Sequence, residues 1–213
     1  MTDYTNLLAG YRRFRANGWA KQRARWAELS EGQHPRTMVI ACSDSRCDPA
    51  EIFDTSPGEI FVVRNIANMV PPYEVGGGRH GVSAALEFAV MELEVRDIVI
   101  MGHGMCGGCG AALSQSFKDA KPGEGGFIAH WIDLLDDARE RIVAEHGDDI
   151  HGPARRAMEH ETVRVGLANL RTFPNIARRE SLGLVSLHGA YFAIADGILH
   201  LLDEKSGAFE PAT

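Results

Sequence analysis

Two short apolar runs rich in β-forming residues, 37–41 (TMVIA) and 97–101 (DIVIM), each open directly into a loop crowded with reactive side chains. Such runs, bounded by polar loops, read as strands buried on both faces of a sheet. A further strand is expected at 59–64 (EIFVVR) and a fourth at 182–187. Helical patterns lie between them. The clearest spans 81–95, where Val82, Ala85, Leu86, Ala89, Val90 and Leu93 form one apolar stripe. Residues 127–146 and 153–172 read as two more helices, the second stopped by Pro174. Asp48-Pro49 marks the start of a short helix, as an N-cap followed by proline in the first turn. The stretch 65–78, with Pro71, Pro72 and three consecutive glycines, reads as loop. Towards the C-terminus, 191–195 and 198–202 flank Asp196-Gly197, which predicts a hairpin closed by a tight primed turn. Strands alternating with helices predict an α/β fold: a central, mainly parallel β-sheet with flanking helices and an antiparallel edge hairpin. Leu7, Leu8, Tyr11, Phe14, Trp19 and Trp26 recur at roughly helical spacing, so 3–29 is expected to form an N-terminal helical arm, ended by GQHP at 32–35. A length of 213 residues fits a single domain, 1–213.

Composition narrows the function. A net charge of −7 argues against a nucleic-acid face, which needs clustered Lys and Arg. Apolar residues at 45% and charged residues at 24% are ordinary for a globular chain, and no run approaches the ~18 apolar residues of a membrane span. Asp3 and many arginines stand where a secretion signal would have its apolar core, so the expected location is the cytoplasm. The four cysteines group as Cys42/Cys47 and Cys106/Cys109, which suits metal or catalytic thiols better than a disulfide framework.

The chemistry gathers in CSDSR (42–46) and HGMCGG (103–108), each at the carboxyl end of an expected parallel strand, where open α/β sheets bind ligands. If the two strands are neighbours, Cys42, Cys106, His103 and Asp44 make a complete ligand set for Zn²⁺. Singly, each residue has an ordinary reading: a small buried cysteine, a loop histidine, a surface pair of Asp44 with Arg46, a glycine-rich connector. Their coincidence at two equivalent strand ends argues for a site. One rival is a non-catalytic scaffold stabilised by a closed zinc site of Cys42, Cys47, Cys106 and Cys109. Another is a thiol phosphatase or sulfurtransferase built on Cys42 and Arg46, although the two stand closer in sequence than the usual phosphate cradle requires.

The segments CSDSRCDP and GHGMCGG, with FVVRNIAN between them and HGVSAALEFAV before the second, resemble the β-class carbonic anhydrases. The resemblance is dense over 33–110 and weaker up to the hairpin. It implies a carbonate dehydratase, a lyase of carbon utilization that hydrates CO₂ reversibly to bicarbonate and a proton by zinc-bound hydroxide. One Zn²⁺ per chain is implied, with Cys42, His103 and Cys106 as constant ligands and Asp44 as a switchable one. Arg46 would draw Asp44 off the metal through a two-pronged salt bridge. Gln33 would hydrogen-bond substrate, Phe61 and Ile66 would wall it, and the Gly107 N–H would face its oxygen. Phe88 stands where many plant-like members carry tyrosine, so one hydrogen bond is missing. Val39 stands where allosteric members carry tryptophan; with Gln33, it points to the non-allosteric, plant-like type. Cys47 and Cys109 match no family ligand and are expected to pack. The family's arm lies against a neighbouring subunit, which implies a homodimer or homotetramer.

Overall fold

Six β-branched or apolar-rich segments form the strands: β1 (Thr37–Cys42), β2 (Ile60–Asn65), β3 (Asp97–His103), β4 (Ser186–Ala193), β5 (Ile198–Asp203) and β6 (Ala208–Pro211). In the computed structural model, which describes residues 2–76 and 80–212, they make one sheet in the order β2-β1-β3-β4-β5-β6. Gly77 and Gly78 of the expected 65–78 loop lie outside the described residues. The chain divides into two compact units, Met1–His34 and Pro35–Thr213.

The first unit is helical: α1 (Tyr4–Arg13), a π turn at Phe14–Gly18, α2 (Trp19–Lys21) and α3 (Arg23–Glu31). Asp3 caps α1, its carboxylate accepting the Asn6 N–H at 2.8 Å. The expected helix over 3–29 is present, broken only at Gln22 (φ −105°, ψ 28°). Tyr4, Leu7 and Tyr11 are exposed.

The second unit carries the sheet and its helices: α4 (Pro49–Ile52), α5 (Gly81–Glu87) continued by a π turn at Phe88–Glu92, α6 (Gly107–Ser114), α7 (Gly126–Ile132), α8 (Asp136–His146), α9 (Pro153–Leu170) and α10 (Pro174–Ser181). β1 pairs in parallel with both β2 and β3, and β3 with β4; β5 and β6 complete the sheet antiparallel. The chain steps from β1 to one side and returns on the other, so the strand order reverses between β1 and β3. Ala41 lies opposite Met101 in the register, which sets the two reactive loops side by side at the crevice that such a reversal opens. Met38, Ile40, Ile98 and Ile100 pack on one face with Leu86, Val90, Leu167 and Leu170, while Val39, Ala41, Met101 and Ala190 fill the other. Gly102 admits α9 against β3: a Cβ there would lie 2.9 Å from Val163 Cγ2 and 3.2 Å from the Glu159 carbonyl oxygen. Among the described residues no helix is long and apolar enough to cross a membrane.

Three expectations need correction. The fourth strand begins at Ser186, not 182, because α10 runs to Ser181 and Gly183 (φ +67°) turns the chain before pairing starts. Pro174 does follow a helix end, but it also occupies the first turn of α10, where its missing N–H costs nothing. The β4–β5 hairpin exists, yet Ala193 pairs with Ile198, leaving four connecting residues. Only Gly197 takes positive φ (+73°), and the Asp196 carboxylate accepts the Ile198 N–H at 3.0 Å, so this is no two-residue primed turn.

Candidate metal centre

β1 delivers Cys42 and β3 delivers His103 to the same edge, and Met105, at φ +56°, turns the chain so that Cys106 caps the start of α6. The Cys42 and Cys106 sulfurs stand 4.0 Å apart. With a ring nitrogen of His103 they form a buried trio of donors all within 4.8 Å of one another. Zinc–sulfur arms of about 2.3 Å at a tetrahedral angle would set two sulfurs about 3.8 Å apart, so the trio has the right span. His103 Nδ1 donates to the Gly104 carbonyl at 2.9 Å, which fixes the tautomer and leaves Nε2 as a lone pair. That Nε2 is buried without a protein partner, a costly state for a polar atom unless a cation takes it up.

The charges point the same way. The Cys42 thiol is pulled far below its ordinary value, first by hydrogen bonding with Cys106 and then with Cys47. Cys106 is pushed far up, by Cys109 first, then by Cys42 and burial. The two sulfurs thus share one negative charge, and only a cation between them lets both ionise. Burial alone would lower His103, but the nearby Cys42 sulfur outweighs it and raises the imidazole above its ordinary value. Two thiolates and one imidazole suit zinc.

Asp44 is not among these converging donors. Arg46 grips its carboxylate with a fork, Nε to Oδ1 at 2.9 Å and Nη2 to Oδ2 at 2.7 Å, and the Arg46 backbone N–H adds a third bond at 3.0 Å. These bonds bring the Asp44 carboxyl down to about 2, against an opposing push from burial. Arg46 Nη2 also donates to the Met105 carbonyl at 3.1 Å, tying the two loops together. Committed to Asp44 in this way, Arg46 is not free to cradle phosphate, which weakens the thiol-phosphatase alternative.

Ile66 abuts the metal loop: a Cβ on Gly108 would lie 2.8 Å from Ile66 Cγ2. The indole N–H of Trp131 holds the Ile66 carbonyl at 2.8 Å. Phe61 and Phe88 stack on each other, ring centroids 5.9 Å apart. Gly107 follows Cys106 and is exposed, while Gln33 is exposed in the N-terminal unit. Cys47 and Cys109 are buried but stand outside the converging donors; the Cys47 thiol donates instead to the Asp44 carbonyl at 3.3 Å. A closed four-sulfur site is therefore not formed.

Sequence reasoning missed Arg64. Its guanidinium donates to the Cys42 carbonyl at 2.9 Å, the Asp44 carbonyl at 2.6 Å and the Asp48 carboxylate at 2.7 Å, pinning the whole 42–48 loop. The available signal was an arginine ending an otherwise apolar strand. Trp131 was missed too, since its place after a glycine-rich loop says nothing of the Ile66 carbonyl.

The family model described as carbonic anhydrase matches residues 37–199. The carbonic anhydrase of Pseudomonas aeruginosa is 37% identical over 205 residues, covering 96% of this chain and 90% of its own. The solved structure of the β-carbonic anhydrase CcaA superposes with a TM-score of 0.88 at 31% identity, over 98% of this chain and 92% of the other. One of the two tetrameric β-carbonic anhydrases of Sordaria macrospora gives a TM-score of 0.78 at 27% identity, over 93% and 96%. The parallel sheet, the buried Cys-His-Cys trio at its switch point and these matches agree: the chain belongs to the β-class carbonic anhydrases, zinc enzymes that hydrate carbon dioxide reversibly to bicarbonate.

Proposed function

We propose that Cys42, His103 and Cys106 hold one Zn²⁺ per chain and that Asp44 and Arg46 form the catalytic gate beside it. The observation that carries this reading is the Arg46 fork on Asp44 next to a trio whose His103 Nε2 has no protein partner. Bound there, zinc would supply the Lewis acidity that brings the ionisation of water down to about 7, a figure already known for carbonic anhydrase. The chain's own residues do the rest. Asp44, ionised at neutral pH, only accepts hydrogen bonds and so orients the attacking water by its protons. Arg46 keeps that carboxylate committed to the fork; released, Asp44 would join Cys42, His103 and Cys106 as a ligand and silence the site. Ile66, Phe61 and Phe88 offer apolar surface to CO₂ and exclude competing water. The Gly107 N–H, at the start of α6 with no intrahelical partner, donates to the substrate oxygen. Val39, buried on β1, supports the non-allosteric, plant-like type.

The N-terminal unit serves as the arm of this single catalytic domain, and its exposed Tyr4, Leu7 and Tyr11 pack on a second copy. The tetrameric Sordaria relatives support a homodimer or homotetramer. The enzyme works in the cytoplasm on CO₂ and bicarbonate, in carbon utilization, without nucleic acid or membrane as partner.

The test is zinc content together with CO₂ hydration in the parent, Cys47→Ser and Asp44→Asn. The parent and Cys47→Ser should each hold one zinc per chain and hydrate CO₂, while Asp44→Asn keeps zinc and loses activity. Zinc lost with Cys47 would revive the four-thiolate scaffold and overturn the proposal.

A further inference from the structure

We propose that Arg155 and Glu159 are positioning residues that fix the Cys106 sulfur by gripping the peptide groups on both sides of that residue; this rests on reading Cys106 as a zinc ligand. Glu159 is 3% exposed. Its Oε1 accepts the Cys106 backbone N–H at 3.0 Å and its Oε2 accepts the Tyr191 hydroxyl at 3.0 Å. One helical turn earlier on α9, Arg155 donates through Nη2 to the Cys106 carbonyl at 2.9 Å, through Nε to Glu159 Oε1 at 3.3 Å, and through Nη1 to the Ile150 carbonyl at 3.2 Å. A single ion pair thus holds the donor and the acceptor of one residue at once.

The local backbone explains why such a grip is needed. Cys106 stands at the N-cap of α6, so its N–H has no helical partner, and it follows Met105 at positive φ. Within α6 its carbonyl accepts the Gly110 N–H at 3.1 Å, while its own N–H is held by Glu159. α9, by contrast, is pressed onto β3 at Gly102, where a Cβ would meet Val163 Cγ2 at 2.9 Å and the Glu159 carbonyl at 3.2 Å, so the clamp sits on a closely packed element. A carboxylate taken out of water costs several kcal/mol unless its oxygens are satisfied. Here Tyr191, Arg155 and the Cys106 N–H satisfy both. The Tyr191 phenol is pushed well above its ordinary value, by burial first and then by Glu159, and so remains a donor. Neither Arg155 nor Glu159 is among the converging metal donors; both act through Cys106.

Glu159→Gln, Arg155→Lys and Tyr191→Phe test this in the zinc-loaded enzyme. Gln keeps the shape but loses the charge that binds Arg155; Lys keeps a charge but cannot reach the Cys106 carbonyl and Glu159 together. The readouts are the rate of zinc release to a chelator, the sulfur-to-cobalt absorption after Co²⁺ exchange, and thermal unfolding of the metal-free protein. Glu159→Gln and Arg155→Lys should release zinc about 10–100-fold faster than the parent, the range for partners of metal ligands, with an altered sulfur-to-cobalt band. Tyr191→Phe should change both less. Parent-like release and an unchanged band in Arg155→Lys, even with lowered thermal stability, would make the clamp merely structural and overturn the proposal. Should Glu159→Gln fail to fold, Arg155→Lys carries the test alone. A parent cobalt spectrum without thiolate bands would sink the ligand reading itself, a separate failure seen before any variant is made.

Discussion

Arg46→Lys separates geometry from charge at the gate. Lysine keeps the positive charge and the backbone N–H bond to Asp44, but a single ammonium replaces the two-armed fork at 2.9 and 2.7 Å and loses the 3.1 Å bond to the Met105 carbonyl. Two hydrogen bonds from a charged donor are lost. Each is worth about 1.5–3 kcal/mol when sheltered. The Arg46 side chain is 48% exposed and that of Asp44 19%, so screening by water reduces each to about 0.5–1 kcal/mol. The sum, about 1–2 kcal/mol, weakens the hold on Asp44 about 5–30-fold. Stopped-flow CO₂ hydration, on protein matched for zinc content, should show kcat/KM lowered by up to that factor, and Arg46→Ala lowered further. Parent-like activity in Arg46→Lys would mean that charge alone holds Asp44. Equal loss in the lysine and alanine variants would mean that charge contributes nothing. Either result refutes the reasoning.

Gly108→Ala drives a methyl to within 2.8 Å of Ile66 Cγ2 and 3.0 Å of Ala67 Cβ. Ile66 can yield, but Ala67 is buried at φ +59°, so about 1–3 kcal/mol of overpacking should lower the melting temperature by several degrees and raise KM for CO₂, read by calorimetry and kinetics. Trp131→Phe removes the N–H that holds the Ile66 carbonyl, together with part of a ring packed against the core; kcat/KM should fall severalfold with kcat little changed, whereas a simple loss of folded protein would lower both equally. His160 is brought down to about 4 by burial, then by Arg164, Arg156 and His200, so the folded state resists protonation. Its contribution is fully present above the unfolded value of about 6.5 and is lost as pH falls towards 4. Urea unfolding should therefore show about 1 kcal/mol less stability at pH 5 than at pH 7.5, discounted for the ring's partial exposure, and His160→Gln should flatten that dependence.

How far the sequence reaches depends on what buries each residue. β1 and β3 were legible because strands covered on both faces must be apolar throughout, and their loops were legible because cysteine, histidine and glycine are rare company at a strand end. The run at 182–187 misled because it straddles the end of α10 and the start of β4, and apolar content alone does not separate the two. β6 is a short edge strand ending in Pro211, with Phe209 its one inward anchor, and leaves almost no pattern. The Asp44–Arg46 fork was expected from the family resemblance, spacing alone suggesting only a surface pair; its open state was not, since that depends on where the Met105 carbonyl lies. The clamp on Cys106 marks the limit most sharply. Arg155 and Glu159 sit four apart on a helix, the commonest spacing of an unimportant surface pair. Two residues on, Glu161 pairs with Arg141 and Arg164 at a more exposed place, and the sequence offers no way to rank the two glutamates. Only the approach of α9 to β3 at Gly102 places one carboxylate beneath the metal loop and leaves the other near the surface, so the role of Glu159 is written in a glycine some sixty residues before it.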